Sequence, residues 1–118
     1  MTNTPGTYDF TIYQGATFNR VLTWKDENND AVDLTGSTAR MQLRESVDDA
    51  DPFLSLTTEN GGIALGGAAG TITLAISAAD TAVITKTSGV YDLELVSAGG
   101  IVTRLLAGKI LVSKEITR

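Results

Sequence analysis

SGVYDLELVSAGGIVTRLLAGKILVSKEITR, residues 88–118, decides the fold class. Tyr91, Leu93 and Leu95 fall on alternate positions, with Asp92 and Glu94 between them. A period of two belongs to a strand with one buried and one wet face. Ala98-Gly99-Gly100 follows, and glycine accepts the positive φ angles of a tight turn, so the chain reverses there. The last run, from Ile101 to Glu115, returns as a long strand. Its expected inward set is Ile101, Thr103 and Leu105, then Ile110 and Val112. The phase changes across Gly108, which is expected to be a bulge or kink that re-aims the strand. Each strand of this hairpin buries apolar area worth several kcal/mol, at about 25 cal/mol per Å². The hairpin closes a core.

The same grammar runs back through the chain. Phe10 and Ile12 alternate with Thr11; after the turn Gln14-Gly15-Ala16, the segment TFNRVLTWK places Phe18, Leu22 and Trp24 on one face. Arg20 is the exception on that face. DENNDAVD reads as a hairpin loop in which Asn28-Asn29 takes left-handed conformations. Its acidic residues do not match a calcium loop, which needs a glycine at the sixth position, a glutamate at the twelfth and flanking helices. In STARMQLRE, residues 37–45, Ala39, Met41 and Leu43 point one way and Arg40, Gln42 and Arg44 the other. The two arginines are expected on a wet face, opposite Asp92 and Glu94 of another strand. Phe53, Leu54 and Leu56 begin a further strand, and TITLAI forms another. The glycine-rich GGIALGGAAG between them lacks the lysine and following helix of a phosphate loop. Ser77 to Ile84 is the one helical segment, with Ser77 as N-cap and Asp80 at the third helical position. It is expected to lie as a lid over the core.

Seven or eight short strands, frequent turns and one small helix add up to an all-β fold. The expected architecture is an antiparallel immunoglobulin-like β-sandwich with a short helix near residues 77–84; a partly open β-barrel is the alternative. Residues 1–8 read as a flexible N-terminal arm and residues 9–118 as one domain.

Composition narrows the chemistry. The 118 residues contain no cysteine and no histidine, which removes disulfides, thiolate metal sites, the commonest general base and the commonest transition-metal ligand. No catalytic, metal-binding or cofactor-binding residues are expected, and the chain is read as no enzyme. Fourteen acidic against nine basic residues give a net charge of -5, which offers no counterion-release gain with nucleic acid and no attraction to anionic lipid. The opening MTNTPGTYDF lacks the basic-then-apolar pattern of a secretory leader. No apolar run approaches the roughly 20 residues of a membrane-spanning helix. Neither nucleic acid nor membrane is an expected partner.

The order of the pieces resembles a group of small phage proteins. The segments Ile12–Phe18 (I-x-x-G-x-T-F), Asp33–Gly36 (D-L-T-G) and Tyr91–Leu95 (Y-D-L-E-L) are similar to the N-terminal domain of the baseplate upper proteins of tailed phages, over about residues 9–118. The resemblance implies a virion protein assembled in the host cytoplasm, present in multiple copies or as a homo-oligomer and contacting other virion proteins. The expected role is a tail or baseplate adaptor, working by association through strand edges, loops and the N-terminal arm. Tyr8, Phe10 and Tyr13 are the candidate interaction residues, beside the polar arm, although Phe10 also suits the core. Baseplate upper proteins continue into receptor-binding modules, whereas this sequence stops at Arg118. A stand-alone version joining other proteins, or a role elsewhere in the virion, is therefore expected rather than direct receptor contact. A capsid decoration protein is the alternative, and a carbohydrate-binding module the second. Exposed aromatics would favour the last, but Trp24 is placed on an inward face.

Overall fold

A computed structural model describes residues 6–117. Its strands are β1 (Gly6–Thr7), β2 (Phe10–Tyr13), β3 (Phe18–Thr23), β4 (Thr38–Arg44), β5 (Leu54–Thr57), β6 (Ile63–Leu65), β7 (Thr71–Ile76), β8 (Ser88–Val96) and β9 (Val102–Ser113), with one α-helix, α1 (Ala78–Ala82), and a short 3-10 turn at Gly67–Ala69. They form two sheets. The larger runs β1-β9-β8-β4-β5, with β2 also on β9; the smaller runs β3-β7-β6. In chain order this is an immunoglobulin-like sandwich, B-E-D facing G-F-C-C′. The first strand departs from all-antiparallel pairing, because β1 and β2 both run parallel to β9. No closed barrel forms among the described residues.

Alternation in the sequence becomes two facing apolar layers. Ala39, Met41 and Leu43 of β4 and Tyr91, Leu93 and Leu95 of β8 are all buried. They meet Phe18 of β3 and Ile72, Leu74 and Ile76 of β7 across the sandwich, in one core cluster. Ile84 and Leu34 close its ends. The Asn29 backbone has φ 66°, the left-handed conformation expected in the DENNDAVD turn, and Asp26 Oδ1 accepts the Asn28 and Asp30 N–H groups there.

Helix α1 lies inside the expected 77–84 span. Ser77 caps it, its hydroxyl oxygen accepting the Asp80 N–H at 3.1 Å. Thr81 is fully buried; its hydroxyl donates to the Ala16 carbonyl at 2.9 Å and accepts the Gly15 N–H at 3.0 Å. Gln14 Nε2 donates to the Ile84 carbonyl. These bonds tie the helix to the β2–β3 turn and make it a lid on one end of the core.

Two sequence readings need correction. The bulge in β9 is not at Gly108. Leu93 pairs with Leu106 and Glu94 with Arg104, which leaves Leu105 as the extra residue. Gly108 instead stays in register opposite Tyr91, and its function is clearance: a Cβ there would lie 2.2 Å from the Tyr8 carbonyl oxygen. Ile101 is likewise not inward but 70% exposed, because the turn Ser97–Gly100 carries it out of the sheet.

Three residues of the expected arm over residues 1–8 belong to the folded domain. Gly6 and Thr7 pair with Leu106 and Ala107 of β9, and Tyr8 packs on the core. Residues 1–5 of that arm lie outside the described residues.

Candidate protein-docking site

The three residues singled out from sequence sit along one sheet edge but in different surroundings. Phe10 is core: it is 3% exposed and meets the Tyr8 and Phe18 rings edge-on at 4.8 and 5.6 Å. Tyr13 is 62% exposed at the end of β2 and presents its ring outward. Tyr8 is half-buried and works as a joint. Its N–H donates to the Ala107 carbonyl, and its own carbonyl accepts the buried Tyr91 hydroxyl. Burial first, and the Asp9 carboxylate second, hold the Tyr91 phenol above its ordinary pKa, so it remains a donor. One residue on, Asp9 Oδ1 accepts the Lys109 N–H at 2.8 Å. The β1 and β2 registers on β9 share one offset, so the break at Tyr8–Asp9 is a local detour. Through it, Tyr91 reaches the first strand over a glycine.

The opposite sheet shows what that detour leaves behind. With β1 and β2 on β9, the small sheet stops at β3 among the described residues, one strand short of the four-stranded A-B-E-D form. Trp24 N–H donates to the Gly70 carbonyl, and antiparallel alternation then directs the N–H and C=O groups of Asn19, Val21 and Thr23 away from β7. No described residue accepts or donates there. The side chains record the same gap: Ile72 and Leu74 of β7 are fully buried, whereas Arg20, Leu22 and Trp24, on the inner side of the neighbouring run, are only half-covered.

Beside this edge, between the sheets, lies an open cleft of about 200 Å³ lined by Tyr8, Leu22, Thr23, Trp24, Ile72, Leu105 and Leu106. The bulge explains how two successive leucines of one strand share a cleft, since the extra residue cancels the usual alternation. Arg20 stands at the border of this region. Its guanidinium carbon is 5.5 to 6.0 Å from the centres of the Phe18, Phe10 and Tyr8 rings, close enough for cation–π attraction. Nη1 donates to the Tyr8 hydroxyl at 3.2 Å, but Nε is shielded from solvent with no hydrogen-bond partner among the described residues. Sequence reading had marked Arg20 as the polar intruder on an apolar face. It had Leu105 inward but missed Leu106 beside it, and missed the open edge, whose existence depends on where the first strand goes.

The outer face of the large sheet is polar, as alternation in β4 and β8 foretold. Arg40 lies opposite Glu94 and pairs with it at 2.8 Å; Arg104 of β9 approaches Asp92 at 3.5 Å. Arg44 donates to Gln42 Oε1 at 2.7 Å. These side chains satisfy one another in a wet layer, so the arginines of β4 are occupied by neighbours on their own sheet.

The three segments that carry the phage resemblance occupy fold-forming places. Ile12–Phe18 spans the β2–β3 turn under α1; Asp33–Gly36 is a loop in which Asp33 Oδ1 accepts the Thr35 N–H and hydroxyl and Gly36 has φ 79°; Tyr91–Leu95 is the middle of β8, buried at Tyr91, Leu93 and Leu95.

No protein-family model and no curated protein sequence matches the chain. Among solved structures, it is similar to the extracellular domains of the voltage-gated sodium channel beta4 subunit, described as parallel homodimers in connection with cell-cell adhesion. That likeness covers 98% of each chain at 11% identity, with a TM-score of 0.49.

Proposed function

We propose that this chain is a non-enzymatic structural module of a tailed-phage virion, an adaptor in the tail or baseplate that joins larger components by association. The observation that supports docking is the side of the sandwich left one strand short at β3 among the described residues, with backbone groups that none of them pairs and an apolar cleft beside it. Unprotected strand edges attract further strands, and proteins that have no use for them cover or charge them. The outward-facing backbone positions of this edge are Asn19, Val21 and Thr23, without proline or bulge among them, and the one charge of the strand, Arg20, points inward. The placement in a virion rests on the resemblance of Ile12–Phe18, Asp33–Gly36 and Tyr91–Leu95 to baseplate upper proteins.

The test is a count of copies per purified particle, by quantitative mass spectrometry against the major capsid protein. Copies in the tens or fewer agree with the adaptor. Hundreds of copies assign it to capsid decoration instead, and absence from the particle overturns a virion role altogether.

A further inference from the structure

We infer that the β3 edge receives an extended segment of a partner protein, added as a fourth strand to the small sheet, and that this segment carries an acidic residue two positions from an apolar one. The inference rests on the reading of the chain as an assembly module and names the chemistry of what it binds.

Three observations fix that chemistry. Asn19, Val21 and Thr23 offer three N–H and three C=O groups in a row, which only another extended backbone satisfies as a set. The inward side chains beside that edge are Arg20, Leu22 and Trp24, so the guest's inward positions follow the same two-residue spacing. Opposite Leu22 and Trp24 lies the cleft with Leu105 and Leu106, which takes an aliphatic side chain. Arg20 itself is a half-buried cation that makes no ion pair among the described residues and keeps one N–H without an acceptor. A half-buried cation without a counter-charge is costly, and a carboxylate is the group that pairs with it through charge-assisted hydrogen bonds. Residues 1–5, MTNTP, hold no carboxylate to meet Arg20, so the acidic position points to a strand from a partner. An antiparallel guest reads apolar-x-apolar-x-acidic from its N-terminus, and a parallel guest reads the reverse.

The full chain is titrated with two synthetic peptides, Thr-Leu-Thr-Leu-Thr-Glu-Thr and its reversed sequence, and with counterparts carrying Gln or Lys in place of Glu. Trp24 is the sole tryptophan, so its fluorescence reports on the cleft directly. The expected result is a blue shift of Trp24 emission with one peptide direction and slowed amide exchange at Asn19, Val21 and Thr23. Glu is expected to exceed Lys in affinity on the order of tenfold. In Arg20→Met this preference disappears. In Val21→Pro binding is lost while the fold persists, because that N–H faces outward from an edge strand. The comparison of Glu, Gln and Lys peptides needs no variant, so it decides even if either substitution impairs folding.

Absence of any binding, or binding without protection of the three amides, overturns the inference. So does protection already present in the free chain: independent of concentration it means the chain's own N-terminal residues fill the edge, and rising with concentration it means a second copy does. Neither result alters the particle count, so failure here is distinguishable from failure of the adaptor reading.

Discussion

Replacing Gly108 by alanine tests how the first strand is locked to the sheet. Gly108 does not need a positive φ; it needs empty space. An added methyl group would lie 2.2 Å from the Tyr8 carbonyl oxygen, 2.8 Å from its carbon and 2.9 Å from Asp9 Oδ1. Ordinary carbon–oxygen contacts are about 3.3 Å or longer, so the Tyr8–Asp9 segment must retreat by about 1 Å. That retreat breaks or stretches two bonds: Tyr91 hydroxyl to the Tyr8 carbonyl, and Lys109 N–H to Asp9. Overpacking costs about 1–3 kcal/mol and each lost hydrogen bond about 1 kcal/mol, giving an expected destabilisation of roughly 3–5 kcal/mol. Urea unfolding followed by circular dichroism measures it. Tyr91→Phe in the wild-type background should cost about 1–3 kcal/mol, since it leaves the Tyr8 carbonyl without its donor. In the Gly108→Ala background it should cost much less, because that contact is already gone. A destabilisation below about 1 kcal/mol for Gly108→Ala, or full additivity with Tyr91→Phe, would refute the clearance argument and return Gly108 to the status of an ordinary strand residue.

Thr81→Val keeps the shape of a buried side chain but removes the hydroxyl that serves both Ala16 and Gly15, so it should lose about 1–3 kcal/mol in the same unfolding assay. The aromatic residues along the first strand should separate sharply: Phe10→Ala should cost about 3–5 kcal/mol, and Tyr13→Ala should stay within about 0.5 kcal/mol, as thermal and urea midpoints will show. For the Arg40–Glu94 pair, 54% and 24% exposed at the side chain, a double-mutant cycle to alanine should give a coupling of about 0.2–1 kcal/mol that shrinks in high salt.

Much of this fold is legible in the residue order because its signals are local. The alternation of Tyr91, Leu93 and Leu95 with Asp92 and Glu94, and of Ala39, Met41 and Leu43 with two arginines, assigns strands and their buried faces. Which side chain is inward follows from the pleat alone. Parity also put Arg40 and Arg44 on the wet face, but register chose their neighbours: Arg40 stands opposite Glu94 as expected, whereas Arg44 stands opposite Val90 and Asp92 opposite Gln42. Ser77 and Asp80 identify the helix start through a contact only three residues long. The interaction site was less accessible. Tyr8, Phe10 and Tyr13 were grouped by proximity in sequence, but one became core, one a joint and one a surface ring.

Tertiary structure alone decided the rest. Residues near the N-terminus join β9, about one hundred positions away, in parallel, and no local pattern encodes the choice between that edge and the edge of β3. That single pairing explains why Gly108 must be bare. Among the described residues it also leaves the Asn19, Val21 and Thr23 backbone unpaired and Arg20 only partly matched. The β9 bulge belongs to the same class: its position is set by register against β8, so sequence placed it at the glycine while pairing placed it at Leu105. Periodicity fixes which face of a strand is buried, because that depends on neighbours along the chain. Which edge remains open depends on a competition between distant strands, and that competition exists only in the folded chain.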